Sequence, residues 1–162
     1  AAQTAGVLPV HVERMGIDCL CIAGHKGLYG ISGTGMLILG SDRLIKPLIE
    51  GGTGSLSLEQ EQPDFYPDRL ESGTVNTVGI LSLYHGMKYL LRRGNGAAYE
   101  HEMGLCHYAR ERLRQIPSLS FLEPDFDYGT HVPVLSFTLA KKGSEEVGRQ
   151  LADRGIAVRS GL

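Results

Sequence analysis

A chain of 162 residues, 42% hydrophobic and 21% charged, can bury a core, and its formal charge of −2 gives no bulk attraction to nucleic acid. It carries no signal-peptide pattern and no apolar run of about 18 residues, so neither secretion nor a membrane span is expected, and a cytoplasmic location is. The three cysteines, Cys19, Cys21 and Cys106, match no zinc-ligand spacing. They read as reduced, buried, small apolar side chains, and no metal site is expected.

In chain order, Ala1–Gly6 begins at the end of a strand and carries Gln3, and Pro9–Gly16 is a short helical or turn segment covering a sheet. Ile17–Ile22 is a continuous short apolar run that stops at Gly24, the pattern of a strand buried on both faces. Met36–Leu39 is its expected partner. Between them the chain presents His25 and Lys26 and passes glycines 24, 27, 30, 33 and 35. Taken alone, Lys26 reads as an exposed loop lysine, His25 as a loop histidine and Gln3 as a turn glutamine bonded to backbone. Yet a lysine just beyond a buried strand is unusual, because an ammonium is seldom buried unless it is paired or neutral. Gly33-Thr34-Gly35 is weak evidence for a phosphate site, and no P-loop pattern occurs.

Residues 51–67 form a polar excursion too long for a simple connection. Val78–Arg93 predicts an amphipathic helix with Ile80, Tyr84, Met87 and Leu91 on one face and Asn76 or Thr77 as its cap. Gly94-Asn95-Gly96 ends it. Ala97–Ile116 predicts a second helix with a stripe of Leu105, Ala109, Leu113 and Ile116. Its late arginines, Arg110, Arg112 and Arg114, read as a solvated helix end. Ser120–Leu122, Pro133–Leu139 and Ile156–Arg159 are β-like runs. A helix over Ser144–Arg154, capped by Ser144 and followed by Gly155, lies between the last two. The fold class is α/β, with a small C-terminal α/β unit built on a mixed sheet.

Four segments in order, AAQTAGVLPV, GIDCLCIAGHKGLYGISGTGML, RLESGTVNTVGI and VRSGL, resemble the class V aminotransferase family of pyridoxal phosphate enzymes. The resemblance is to its cysteine desulfurase and selenocysteine lyase branch. Gln3 and Lys26 fit the family's glutamine and lysine positions, with twenty-two residues between them. The resemblance implies pyridoxal 5'-phosphate held by Lys26 as a Schiff base, with Lys26 also moving the proton of the substrate α-carbon. It implies further cofactor contacts from Gln3, His25 and Thr74, the last given to the neighbouring subunit of a homodimer. Arg159 is an auxiliary candidate for the substrate. Two positions depart from the family pattern: Ala23 lacks the usual hydroxyl, and Val75 replaces a proline.

The resemblance further implies that residues 1–94 are part of a large cofactor-binding domain with the interdomain helix, and that 95–162 are an incomplete small domain. The expected activity of the parent protein is desulfuration of L-cysteine to L-alanine, with sulfur carried as a persulfide on a cysteine beyond Leu162 and passed to an acceptor protein. The 162-residue piece alone is expected to be inactive. Two other readings stand beside this one: an aminotransferase or epimerase of a small amino acid in the same family, and a non-catalytic folded or dimerising piece.

Overall fold

The structure, a computed structural model, describes residues 1–41, 45–94, 96–123 and 125–161. The chain divides into two compact units, Ala1–Asn95 and Gly96–Leu162.

In the first unit, strand β1 (Cys19–Ala23) pairs antiparallel with β2 (Gly35–Leu39), in a register that sets Cys19 against Leu39 and Ala23 against Gly35. The expected partnership with Met36–Leu39 is present. The expected burial on both faces is not. Leu20 is buried and Ile22 packs against the core, whereas Cys19 and Cys21 are exposed. Alternation explains the split: successive strand side chains point to opposite faces, so only one face of this ladder meets the core. All three cysteines are free, but only Cys106 is withdrawn from solvent, and then only partly.

Helix α1 (Thr77–Arg93) starts at Asn76, whose Oδ1 accepts from the Gly79 N–H at 3.0 Å. Its inward face is Gly79, Leu83 and Gly86, with Met87 and Leu90 beside them. The expected stripe is therefore rotated by one residue, and Ile80, Tyr84 and Leu91 are exposed. The reason lies in the two glycines. Gly86 admits the backbone of Leu28 and Tyr29, Gly79 admits the side chains of Thr34 and Asn76, and a count of apolar residues cannot see such contacts. Ala5, Leu28 and Leu83 form the buried cluster, with Ala1, Ile22, Met36, Met87 and Leu90 packed around it.

The excursion between β2 and α1 is tied to itself. Arg69 donates to the carbonyls of Ile45 (2.8 Å) and Pro63 (3.2 Å) and to Asp64 Oδ1 (2.6 Å). The Ile45 N–H donates to the Tyr66 hydroxyl at 2.7 Å, and Gln62 Nε2 donates to the Gly51 carbonyl at 2.6 Å. The Gly73 N–H closes on the Gly52 carbonyl at 2.6 Å. It contains a short 3-10 segment, Asp68–Leu70.

In the second unit, α2 (Ala97–Leu113) precedes an antiparallel pair, β3 (Leu119–Phe121) with β4 (Phe137–Leu139), and then α3 (Ser144–Ala152). The sheet described is antiparallel, not mixed. Residues 156–159 belong to no strand among the described residues. The α2 stripe also differs: Tyr99, Met103 and Arg110 are buried and Leu105 is exposed. Arg110 is not a solvated helix end. Its Nη2 donates to the Glu123 carbonyl at 2.8 Å, and its guanidinium lies 4.4 Å from the centre of the Phe121 ring. A planar, weakly hydrated guanidinium can be covered by aromatic faces in this way. The N-cap of α3 is Gly143, one residue ahead of Ser144. Asn95, within the expected break, lies outside the described residues. Among the described residues, no helix is long and apolar enough to cross a membrane.

Candidate active site

Where β1 ends, the chain makes a tight turn. The Gly24 N–H reaches back to the Thr34 carbonyl at 3.0 Å, one step beyond the ladder. The Gly30 N–H donates to the Gly24 carbonyl at 2.9 Å, and the Tyr29 N–H to the Lys26 carbonyl at 3.0 Å. These bonds hold His25 and Lys26 at the tip of the turn, both exposed. Ala23, at the base, is half-buried and supplies no hydroxyl.

The expected strand end at Ala1–Gly6 is instead a second turn, which lies against the first. Its own bonds run from the Ala5 N–H to the Ala1 carbonyl (3.1 Å) and from the Leu8 N–H to the Thr4 carbonyl (2.8 Å). The Ala1 nitrogen donates to the Cys21 carbonyl at 2.8 Å, which seats the turn alongside β1. The two turns meet glycine to glycine: a Cβ on Gly6 would overlap the Gly27 carbonyl, and a Cβ on Gly27 would overlap the Ala5 carbonyl. This close approach brings exposed Gln3 onto the turn adjoining His25 and Lys26.

Helix α1 braces the other side of the Lys26 turn. A Cβ on Gly86 would overlap the Leu28 carbonyl, and the Ile31 N–H donates to Ser82 Oγ at 3.1 Å. Thr74 is exposed on the bend before α1, and the nearby Asn76 Nδ2 lies 3.5 Å from the Gly33 carbonyl. Thr74 is thus on the segment that touches the loop, not on the Lys26 turn itself. Arg159 belongs to the other unit and is exposed. Its stretch is anchored locally to α3: the Ile156 N–H donates to the Leu151 carbonyl at 3.0 Å, and a Cβ on Gly148 would come within 2.6 Å of Ser160 Oγ. Leu162 lies outside the described residues.

Sequence reading singled out the chemical groups and missed their supports, Gly6, Ser82 and Gly86. Glycine inside an amphipathic helix is the signal that could have found Gly86, because it disfavours helix and so implies a contact that needs it. Among the described residues, Arg93 and Cys106 have displaced proton affinities. Arg93 is raised, first by its hydrogen bond to the Tyr89 hydroxyl. The Cys106 thiol is raised, first by burial and then by the Glu102 carboxylate.

The sequence profile described as Aminotransferase class-V matches residues 1–162. The chain belongs to the class V aminotransferase family. Among curated class V relatives, it is 38% identical to a cysteine desulfurase of Escherichia coli O139:H28, across 99% of this chain and 39% of that protein. It is 34% identical to a probable cysteine desulfurase of Mycobacterium leprae, across 99% of this chain and 26% of that one. Among solved structures, the apo cysteine desulfurase from Thermococcus onnurineus superposes with a TM-score of 0.83 at 34% identity, covering 99% of this chain and 41% of that chain. The chain therefore spans less than half the length of these class V relatives. The α/β class and the C-terminal part of the family's fold agree with this match.

Proposed function

We propose that the protein containing this chain is a pyridoxal 5'-phosphate-dependent cysteine desulfurase. It takes L-cysteine, releases L-alanine and passes the sulfur to an enzyme cysteine thiol, which becomes a persulfide. The observation that carries this reading is the similarity to named cysteine desulfurases over 99% of the chain. The donor set fits the cofactor: an amine (Lys26), an amide (Gln3) and an imidazole (His25) stand exposed on two turns locked together at Gly6 and Gly27. A primary amine suits an aldehyde, an amide N–H suits a phenolic oxygen, and an imidazole or hydroxyl suits a phosphate.

When bound, the cofactor supplies an electron sink for charge at the substrate α-carbon. Lys26 Nζ would hold it covalently and would be the base that moves the α-carbon proton. Gln3 would donate to its phenolic oxygen. His25 would bind on the phosphate side, where Ala23 contributes nothing. Thr74 would donate to the phosphate in the partner subunit of a homodimer, and Arg159 would assist the substrate. Residues 1–94 then belong to the large cofactor-binding domain and 95–162 to the small domain. This reading carries with it a cytoplasmic location and an acceptor protein for the sulfur.

The test uses the full-length protein with pyridoxal 5'-phosphate and L-cysteine. Cysteine-dependent alanine together with protein-bound persulfide is expected, and both are lost in Lys26→Ala. Formation of a keto acid in place of alanine would instead assign an aminotransferase or a lyase. After borohydride treatment, the pyridoxyl group should map to the peptide carrying Lys26; its appearance on another lysine would refute the assignment.

A further inference from the structure

Tyr29 has a left-handed backbone, with φ of 57°. For a bulky aromatic residue this is an unfavourable conformation that persists only when its surroundings impose it. The surroundings are identifiable. On the backbone side, the Tyr29 N–H closes the turn onto the Lys26 carbonyl at 3.0 Å. On the side-chain side, the Tyr29 ring stands edge-to-face on Tyr89 of α1, with centroids 5.8 Å apart at 79°. Tyr89 is itself held by Arg93, whose Nη1 donates to the Tyr89 hydroxyl at 2.8 Å. Flanking contacts fix both ends of the segment. Leu28 is buried in the core, with its carbonyl against Gly86, and the Ile31 N–H is bonded to Ser82 Oγ.

Ser82, Gly86, Tyr89 and Arg93 follow one another at helical spacing, so a single face of α1 receives the whole segment from Leu28 to Ile31. Glycine would take the left-handed backbone at no steric cost. The tyrosine adds a ring that carries the position of α1 to the residue whose amide closes the Lys26 turn.

We propose that Tyr29, clamped by Tyr89, is a positioning residue for Lys26. The ring pair holds the turn in the one backbone arrangement that presents the Lys26 amine beside the Gln3 turn. This inference rests on the reading of Lys26 as the cofactor lysine. It concerns the placement of that amine, not a contact with substrate.

The test uses the full-length protein and three variants: Tyr29→Phe, Tyr29→Gly and Tyr89→Leu. Three quantities are measured: pyridoxal 5'-phosphate affinity by absorbance titration, the rate at which a small amine reagent labels Lys26 in cofactor-free protein, and the thermal midpoint. Tyr29→Phe keeps the ring and should match wild type in all three. Tyr29→Gly and Tyr89→Leu should each weaken cofactor binding by about tenfold, the scale of one lost ring pair, and change the Lys26 labelling rate. The double variant should be no worse than either single one, because both remove the same contact.

Wild-type affinity and labelling in Tyr29→Gly would overturn the proposal, as would full additivity in the double variant. If Tyr29→Gly fails to fold, Tyr89→Leu alone decides, since leucine keeps the helix and leaves Tyr29 in place. A pyridoxyl label on a different lysine in the wild-type protein would defeat the functional reading separately. The cofactor-free labelling rate would still report whether the ring pair sets the placement of Lys26.

Discussion

The carbonyl oxygen of Gly27 fills the space in which a Cβ on Gly6 would stand. Gly6 also has φ of +82°, so a side chain there meets both a strained backbone and an occupied volume. Gly6→Ala should cost about 2–3 kcal/mol and reduce cofactor occupancy, because it separates the Gln3 turn from the Lys26 turn. Gly16→Ala is the matched control: φ is +63° and nothing lies within 4 Å of the new Cβ. It should cost only about 1 kcal/mol and leave cofactor binding unchanged. Chemical denaturation of both variants, read beside a cofactor titration, checks the contrast. Equal losses of stability would mean that backbone strain alone matters.

Two helical glycines should respond to alanine with opposite signs. Gly104 in α2 is exposed, and a Cβ there meets nothing within 4 Å. Gly104→Ala should stabilise by about 0.5–1 kcal/mol, through helix propensity. Gly86 in α1 faces the Leu28 carbonyl, so the gain in propensity is outweighed by overlap. A net loss of about 1–2 kcal/mol is expected. Denaturation midpoints of the pair decide it, and stabilisation by Gly86→Ala would remove the close contact assigned to α1.

Arg69 and Asp64 form an ion pair at 2.6 Å, but the Asp64 side chain is 86% exposed. Water screens such a pair, so Asp64→Asn should cost less than about 1 kcal/mol. Arg69→Met also strips two backbone carbonyls, those of Ile45 and Pro63, of their donor. That change should cost about 2–3 kcal/mol, and limited proteolysis between residues 45 and 73 should accelerate. Equal sensitivity of the two variants would show that charge, not carbonyl satisfaction, ties the excursion.

The raised affinity of Cys106 for its proton sets a direction in pH. Burial favours the neutral thiol in the folded chain, so the unfolded thiol ionises first as pH rises. Stability from this group is fully present below the ordinary thiol range near about 8.5 and is lost as pH climbs through the higher folded value. Alkylation of Cys106 should therefore need a higher pH than a free thiol does. Glu102→Gln should speed it modestly at fixed pH, since the carboxylate is the smaller of the two causes. No change on substitution would leave burial as the whole effect.

How much of this was legible in the sequence follows from what each pattern records. A cap at Asn76 or Thr77, of which the structure uses Asn76, the pairing of Met36–Leu39 with the strand before Lys26, and the helix ending at Gly94 were legible because each is a local signal. The inward face of α1 was not. Its contact is made by Gly79 and Gly86, and a pattern of apolar residues scores side chains that glycine does not have. Arg110 was misread for the converse reason. Its charge suggested solvent, whereas Phe121 and the Glu123 carbonyl give it a covered place. At the candidate site the chemical groups could be named from sequence by family resemblance. The left-handed turn at Tyr29 could not, since nothing in the identity of a tyrosine announces it.

The Lys26 turn is the loop of an antiparallel hairpin, with Ala23 and Gly35 as the last paired residues on either side. Its ends are therefore joined by near neighbours in sequence, and closing a loop of this size takes well under a microsecond, with the hairpin itself following in about 1–10 μs. The brace from α1 comes from much farther along the chain: Ser82 is 51 residues from Ile31. During synthesis on a ribosome, the lysine loop can thus take its outline as soon as β2 emerges. It must wait for more than forty further residues before α1 can lock it. Between those two moments His25 and Lys26 sit on a hairpin whose core-facing Ile22 and Met36 have no cover from α1. In that interval its apolar face is exposed, and surface of that kind is prone to association with other chains.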